Sequence, residues 1–502
     1  MQTRTEVGPL ETHVTQALVL GIFDNGDQSL TGPIAQLDAA LGGQIRAILT
    51  QGDFKAKAKE TLALYPHGMI PAKRILLVGL GKPSAFTTET VRQIAATAAQ
   101  RARELGAEDL SIAISSLEDG ELSAESVAQA ASEGALLGLY RFEEQKTQFE
   151  GRRADPLQLT LLTPDADMRA ELDEGLHVGA VVAESTSLAR DLVNRPANLA
   201  TPAHLVETAR EIASSTGLDC RILDKPDIEA LGMGLLLSVN AGSGAPAQMV
   251  ILEHHGTRAA DLPTIVLVGK GITFDTGGIS LKSGAGMERM KGDMGGAAAV
   301  LGAMRAVALL KLPLHVVGLA PVTENMLDAR GTKPGDIIRS LKGLTVEVIN
   351  TDAEGRLILA DSLTYAGEFS PDAIIDIATL TGSRIIALGD HAAAVMGDDA
   401  LIERLRTAGD VTGERVWPLP LFEAYKEEVE SDVADVKNVG GRAGGTIFGG
   451  AFLSKFVPDD VPWVHIDIAG LESSEKAKPY APKGASGFGV RLFVEMLRRW
   501  ED

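Results

Sequence analysis

The 502-residue sequence is poor in cysteine, in basic charge and in long apolar runs, and each shortage excludes something. Its single cysteine, Cys220, rules out an intrachain disulfide and fits a reducing compartment. In GLDCRILD it has no neighbouring His or Cys to activate it, so it reads as an inert residue on a small strand entering a core. Lys and Arg number 47 against 68 Asp and Glu, a net charge of -21. That balance argues against general attraction to nucleic-acid phosphate and is read as a solubility device. No apolar stretch is long enough to span a bilayer. The opening MQTRTEVGPLETHV lacks the charged start and apolar run of a secretory signal. The nine histidines form no His-Glu-x-x-His pair, and His254-His255 reads as a strand end. A cytoplasmic protein with no membrane partner is expected.

Hydrophobic residues at 45% and charged residues at 23% are globular values, and the length calls for two or three domains. Strand-like runs at 17–23, 74–81, 110–114 and 157–162 alternate with alanine-rich helical periodicity at 87–105 and 122–139. The polar stretch KTQFEGRRADP precedes the last of these strands. A long helix is predicted from about Asp167 toward NRPANLATP at 194–202, where Thr201 is placed to cap a helix starting at Pro202. Further strands are predicted at 249–255, 264–270, 314–322, 344–350, 373–380 and 463–470, with helices at about 287–310 and 356–369. Many of these strands are apolar on both faces, which suits a sheet covered on both sides. The expected fold is α/β in two domains. A smaller N-terminal α/β domain at 1–165 leads through a linking helix at 166–200 to a catalytic α/β domain at 201–502, with a mixed central sheet covered by helices.

Most acidic residues read as surface charge, but some stand where apolar strands stop. TIVLVGKGITFDTGG puts Lys270 and Asp275 at the end of a buried strand, and LTVEVINTDAEGR does the same for Asp352 and Glu354. Ligands of open α/β sheets bind beyond the carboxyl ends of strands. Asp293, in ERMKGDMGGAAAV, is a carboxylate in a sequence otherwise made for close helix packing, and is costly there without a positive partner. Asp352 and Glu354, two apart, can face the same way in an extended segment. Four converging carboxylates would repel one another, a conflict that divalent cations such as magnesium, manganese or zinc resolve. A metal pair about 3.5–4 Å apart would activate a water and hold a carbonyl oxygen, which is metallohydrolase chemistry. Taken singly, each acid is equally readable as a salt-bridged cap or turn residue; their joint placement at strand ends favours a site. Two nucleotide-binding readings fail. In VGLGKPS (78–84), Pro83 and Ser84 stand where a dinucleotide loop wants a helix start and its third glycine, and GKGITFDTGG offers no Walker lysine in frame.

GKGITFDTGGISLK (269–282), Asp293 in MKGDMGG and above all NTDAEGRLILAD (350–361) resemble the leucyl aminopeptidase (cytosol aminopeptidase) family, and bacterial aminopeptidase A-like members in particular. NRPANLATP and GGRAGGTIFGGAFL extend the match across the catalytic half, whereas the first 150 or so residues match only in α/β character. The resemblance implies two divalent ions (Mn2+ or Zn2+) per subunit. Asp275 and Glu354 would bridge both, Lys270 and Asp293 would complete the looser site, and Asp352 would hold the other ion through its side chain and backbone carbonyl. A lysine ligand must be neutral, which burial and adjacent cations favour; the plainer reading of Lys270 is a counter-ion to the acids. Lys282 would stabilise the oxyanion, and Arg356 would hold a bicarbonate ion as general base. Met290, Asn350, Ala353, Thr379, Leu380 and Gly382 would line the substrate side, Met290 being readable also as plain core. The implied function is hydrolysis of the N-terminal peptide bond of peptides, broad in specificity with a preference for leucine and other apolar residues, by a homohexamer. The rival readings are a two-metal phosphoesterase and a DNA-binding accessory role, the latter opposed by the acidity.

Overall fold

The structure is a computed structural model, and it describes residues 1–25, 30–117, 122–149 and 151–501. The chain divides into two compact units, Met1–Glu184 with Lys476–Lys483, and Ser185–Glu475 with Gly484–Asp502. The 26-residue helix Arg169–Asn194 runs from the first into the second.

The first unit is built on six strands in the order Gln2–Val7, Gln158–Thr163, Asp109–Ala113, Leu18–Phe23, Ile75–Gly81, Thr61–Leu64. All neighbours are parallel except the last pair. Successive residues bury into opposite faces. Val19, Leu76, Val78 and Ile112 join one apolar cluster, while Leu18, Leu20, Ile75 and Leu77 join another. Such two-sided burial needs helices on both faces, and it explains why these strands are continuous apolar runs.

The second unit repeats the principle on a larger mixed sheet. Its strands run in the order Val416–Pro418, Ala393–Gly397, Trp463–Asp467, Ala373–Ala378, Thr264–Gly269, His315–Asn325, Gln248–His255, Asp219–Leu223. The four strands from Trp463–Asp467 to His315–Asn325 are parallel to one another. Ile265, Leu267, Ile375 and Ile377 face the helices Pro202–Thr216, Gly295–Leu309, Asp399–Thr412 and Val490–Arg498. Val266, Val268, Ile374 and Leu319 face Gly234–Asn240, Gly355–Ala366 and Gly445–Ser454. Thr201 caps its helix as expected, its hydroxyl accepting from His204 N at 3.3 Å with Pro202 in the first turn.

Two expectations are corrected. The helix predicted over 287–310 is two pieces, a 3-10 turn Met287–Gly292 and the helix Gly295–Leu309, broken at Asp293. Helical periodicity persists through the sequence there, but Asp293 is buried and its side chain and backbone are spent on the site below. The strand predicted over 344–350 is the shorter Thr345–Val348 and lies outside the central sheet, between Asp336–Arg339 and Val436–Lys437. Its alternating burial is that of a sheet with one covered face.

Close backbone approach fixes where the parallel strands stop. Gly271–Asp275 continues Thr264–Gly269 along the same neighbour, and Lys270 stands at the interruption. There the N-terminus of Gly295–Leu309 meets the sheet, with Ala297 N donating to Lys270 O at 2.8 Å. A Cβ on Gly296 would lie 2.1 Å from Ile377 O and 2.7 Å from Lys270 N, so only glycine permits this contact.

Candidate metal centre

Four carboxylates and two lysines meet at the carboxyl ends of these strands. Lys270, whose side chain is 3% exposed, donates to Asp293 Oδ1 at 2.7 Å and to Thr379 O at 2.9 Å, and lies 2.8 Å from Glu354 Oε1. Lys282 Nζ lies 2.8 Å from Asp275 Oδ2 and 2.5 Å from Asp352 Oδ1. Gly355 makes room for the first lysine: a Cβ there would stand 2.5 Å from Lys270 Cε and 2.7 Å from its Nζ.

Each acid arrives by a different route. Asp275 ends Gly271–Asp275 and accepts from Asn325 Nδ2 and Gly277 N, both at 2.8 Å, on Oδ1. Asp293 fills the break between the two helical pieces and accepts from Thr379 Oγ1 at 2.7 Å. Glu354 is the residue immediately before the helix Gly355–Ala366, close to the positive end of its dipole. Asp352 lies in the turn before it, its N–H bonded to Asn350 Oδ1 at 2.9 Å.

Electrostatically the cluster is unbalanced, four carboxylates against two ammoniums. Burial, with repulsion from Glu354, pushes Asp275 up to about 6, against the pull of Lys282 and Lys270. Burial also raises Asp293 well above the usual carboxylate range, reinforced by Glu354 and Asp275 against the pull of Lys270. Burial would push Glu354 up as well, but Lys270 and Lys282 outweigh it and hold it low. Lys270 is likewise disfavoured as a cation by burial, yet Asp293, Glu354 and Asp275 override that and raise its pKa. Without metal, then, Lys270 is the counter-ion to the acids, and bound cations would be needed to make it neutral.

The donor set fits divalent cations. Asp275, Asp293 and Glu354, all buried, each offer an oxygen, and these atoms lie within 4.8 Å of one another. Asp293 Oδ2 and Glu354 Oε2 are buried without a hydrogen-bond partner among the described residues. Unsatisfied anionic oxygens in a dry site are costly unless a cation meets them. The all-oxygen set with one amine suits manganese, magnesium or zinc.

Arg356 lies in the first turn of the same helix and is buried, which lowers its pKa to about 10 and leaves it charged at neutral pH. Its Nη1 donates to Asn438 O at 2.8 Å, while Nε has no partner among the described residues. It lines a cleft of about 580 Å³ together with Ser280, Asn350, Gly440, Arg442 and Phe448. Among the six residues expected on the substrate side, Thr379 binds Asp293 and Lys270, and Asn350 orders the turn of Asp352 while also lining the cleft. Leu380 packs near Arg356, since a Cβ on Gly449 would lie 2.8 Å from Leu380 Cδ2 and 3.7 Å from Arg356 Nη2. Met290 is half-buried in the 3-10 turn preceding Asp293, Ala353 sits in the turn between Asp352 and Glu354, and Gly382 is exposed at the start of the helix Gly382–Leu388.

Three residues that organise the site are not singled out by the sequence. Asn325 donates to Asp275 Oδ1 and to Thr351 O at 3.0 Å. Asn438 accepts from Ile349 N at 2.8 Å and donates to Asn350 O at 2.7 Å, tying the glycine-rich loop to the Asp352 turn. Asp467 accepts from Leu380 N at 3.1 Å and Thr381 Oγ1 at 2.6 Å. Asn325 and Asp467 both end strands of the central sheet, so the strand-end rule applied to every strand would have found them.

Comparison with known proteins agrees with this chemistry. Residues 187–494 match the cytosol aminopeptidase family, catalytic domain, and residues 19–148 match its N-terminal domain. The chain is 47% identical to a probable cytosol aminopeptidase of Roseiflexus castenholzii and 46% identical to one of Geobacter sp. strain M21, covering 99% and 98% of both chains respectively. Among solved structures, a mutant of tomato leucine aminopeptidase superimposes with a TM-score of 0.87 at 34% identity, covering 99% of this chain and 96% of that one. The bottromycin maturation enzyme BotP in complex with Mn gives 0.86 at 34%, covering 97% and 100%. The two family domains match in both units, and the relatives are matched over nearly their full length: the chain belongs to the cytosol aminopeptidase family.

Proposed function

We propose that the chain is a metal-dependent aminopeptidase that removes N-terminal residues from peptides, favouring leucine and other apolar side chains. The single observation that carries this reading is the buried cluster of Asp275, Asp293 and Glu354, whose oxygens lie within 4.8 Å of one another, close enough to share a cation. Lys270, Asp275, Asp293, Asp352 and Glu354 would hold two divalent ions, Asp275 and Glu354 between them. When bound, such a pair lowers the pKa of a shared water and withdraws charge from a carbonyl oxygen. A free substrate amine is a further donor for such ions, which would make the enzyme an exopeptidase.

Lys282 is the residue placed to meet developing negative charge. Burial opposes its ammonium, but Asp275 and Glu354 outweigh that and keep it protonated, while its side chain remains 24% exposed. It can therefore donate to the oxyanion without losing its charge. Arg356, with a buried and unpartnered Nε, supports an anion site; we read that anion as bicarbonate acting as general base. Asn438 fixes the guanidinium by accepting from Nη1, and so orients the remaining donors. The half-buried Met290 and Leu380, with Asn350, Ala353, Thr379 and Gly382, would surround the first side chain. An apolar wall discriminates by only about 1–3 kcal/mol per methylene, so specificity is broad. Family membership is also the ground for reading the enzyme as a cytoplasmic homohexamer, which light scattering tests.

Protein supplied with manganese is expected to hydrolyse leucine p-nitroanilide and to leave its N-acetylated form intact. Equal cleavage of both would overturn the exopeptidase reading.

A further inference from the structure

At the opposite end of the same strands, a second group of metal-binding side chains lies apart from the carboxylate cluster. Thr264 and His315 begin the two neighbouring parallel strands whose far ends lead to Lys270 and Asn325. Along the shorter of the two, Thr264 and Lys270 are six residue steps apart, roughly 20 Å. Glu253 and His255 share one face of Gln248–His255, because side chains two apart in a strand point the same way. His315 is the direct cross-strand partner of His255, and Asp219 that of Glu253, so all four belong to one face of three adjacent strands.

We infer that Glu253, His255 and His315 form a binding site for a divalent transition-metal ion of the zinc class. Both imidazoles turn Nε2 toward one carboxylate oxygen: His315 Nε2 lies 2.8 Å and His255 Nε2 3.5 Å from Glu253 Oε1. All three ligand atoms lie within 4.8 Å of one another. Zinc held at 2.0–2.2 Å by tetrahedral donors separates them by roughly 3.4 Å, so small side-chain rotations admit the ion. The rings stack nearly parallel, with centroids 4.8 Å apart and planes at 12°, which keeps the two nitrogens on neighbouring faces.

The surroundings of His315 also suit a ligand. Its Nδ1 is 3.0 Å from Thr264 Oγ1, a hydroxyl able to accept a hydrogen bond from Nδ1–H and so leave the Nε2 lone pair to the metal. Binding then moves the imidazole proton from Nε2 to Nδ1 and breaks the hydrogen bond to Glu253, whose oxygen becomes the third ligand. Exposure is graded for access without disorder, the side chains of His315, Glu253 and His255 being 15%, 25% and 56% exposed. Asp219 Oδ2, 3.5 Å from His255 Nε2, or a water takes the fourth position. Two imidazoles with one carboxylate suit zinc, nickel or copper rather than manganese or magnesium, so the two sites share zinc but differ toward manganese. The ligands stand on paired strands rather than loops, which holds their spacing rigidly.

Equilibrium dialysis of the full chain against Zn2+, with zinc counted per chain, tests the site. His255→Ala and His315→Ala are expected each to hold one zinc fewer than wild type, with kcat/KM for leucine p-nitroanilide unchanged within about twofold. His255 is largely exposed, so its alanine variant provides a folded test even if His315→Ala were destabilised. Protein loaded with Co2+ should lose the matching part of its visible absorption in the same variants. An unchanged zinc count in His255→Ala would overturn the site and leave an ordinary His–Glu ion pair. Loss of zinc together with activity would also overturn it, by assigning the ion to the carboxylate centre.

Discussion

At the scale of single residues, the site separates groups that hold charge from groups that aim them. Lys282 is the clearest charge-holding case. Lys282→Met should lower kcat by about 10²–10³-fold with a small change in KM, the loss typical of removing one donor to an oxyanion. Steady-state kinetics on leucine p-nitroanilide reads this directly, and a change confined to KM would instead make Lys282 a binding residue. Asn325 is an aiming group, since its amide holds Asp275 Oδ1. Asn325→Ala should weaken metal affinity by about 10–100-fold, measured by chelator competition, with far-ultraviolet dichroism unchanged. The sequence made the charge-holders legible because carboxylates and lysines at the ends of apolar strands are costly without a purpose. Amides such as Asn325 and Asn438 raised no such signal, because a neutral asparagine at a strand end or in a loop carries no charge that demands a partner.

At the scale of elements, glycines decide how closely helices approach the strand ends. Gly296→Ala places a methyl against two backbone atoms that cannot turn aside, and should cost roughly 1–3 kcal/mol in urea denaturation. Gly355→Ala meets only the flexible end of Lys270, so its expected effect is different: weakened metal binding with the denaturation midpoint nearly kept. Equal loss of stability in the two variants would refute the distinction. A second element-scale device crosses the central sheet, where His465 Nδ1 lies 2.5 Å from Asp376 Oδ1 and Trp463 Nε1 donates to Asp376 Oδ2 at 2.8 Å. Burial would lower the His465 pKa, but Asp376 outweighs it and raises it above 6.5. A raised folded-state pKa contributes stability that is complete below the unfolded value and fades as pH climbs through the folded one. Wild type should therefore lose stability from about pH 6.5 upward, and Asp376→Asn should flatten that slope, as denaturation midpoints across the range would show.

At the scale of the whole chain, period and punctuation carried most of the fold. The two-sided apolar strands announced sheets covered by helices on both faces, and the Thr201-Pro202 cap marked where the long helix gives way to the next. Long-range placement was less legible. Nothing local says that Thr345–Val348 leaves the central sheet, or that Lys476–Lys483 belongs with the first unit, because both depend on contacts with segments distant in sequence. The break at Asp293 was hidden for a related reason: apolar spacing continues through it, and only the Lys270 and Thr379 contacts reveal why the helix stops. Of the four acids, only Asp275 ends a strand of the central sheet and so follows the strand-end rule directly; Asp293 and the Asp352–Glu354 turn reach the same place from a helix break and from a strand of a separate sheet.

Titration of metal-free protein with Mn2+ tests the central claim most directly, comparing wild type with Glu354→Ala. Glu354 is expected to hold both ions, so wild type should take up two manganese ions per chain at the carboxylate centre, while the variant should lose that uptake and its peptidase activity without losing its fold. A folded Glu354→Ala protein that binds manganese with wild-type stoichiometry and affinity would contradict the account.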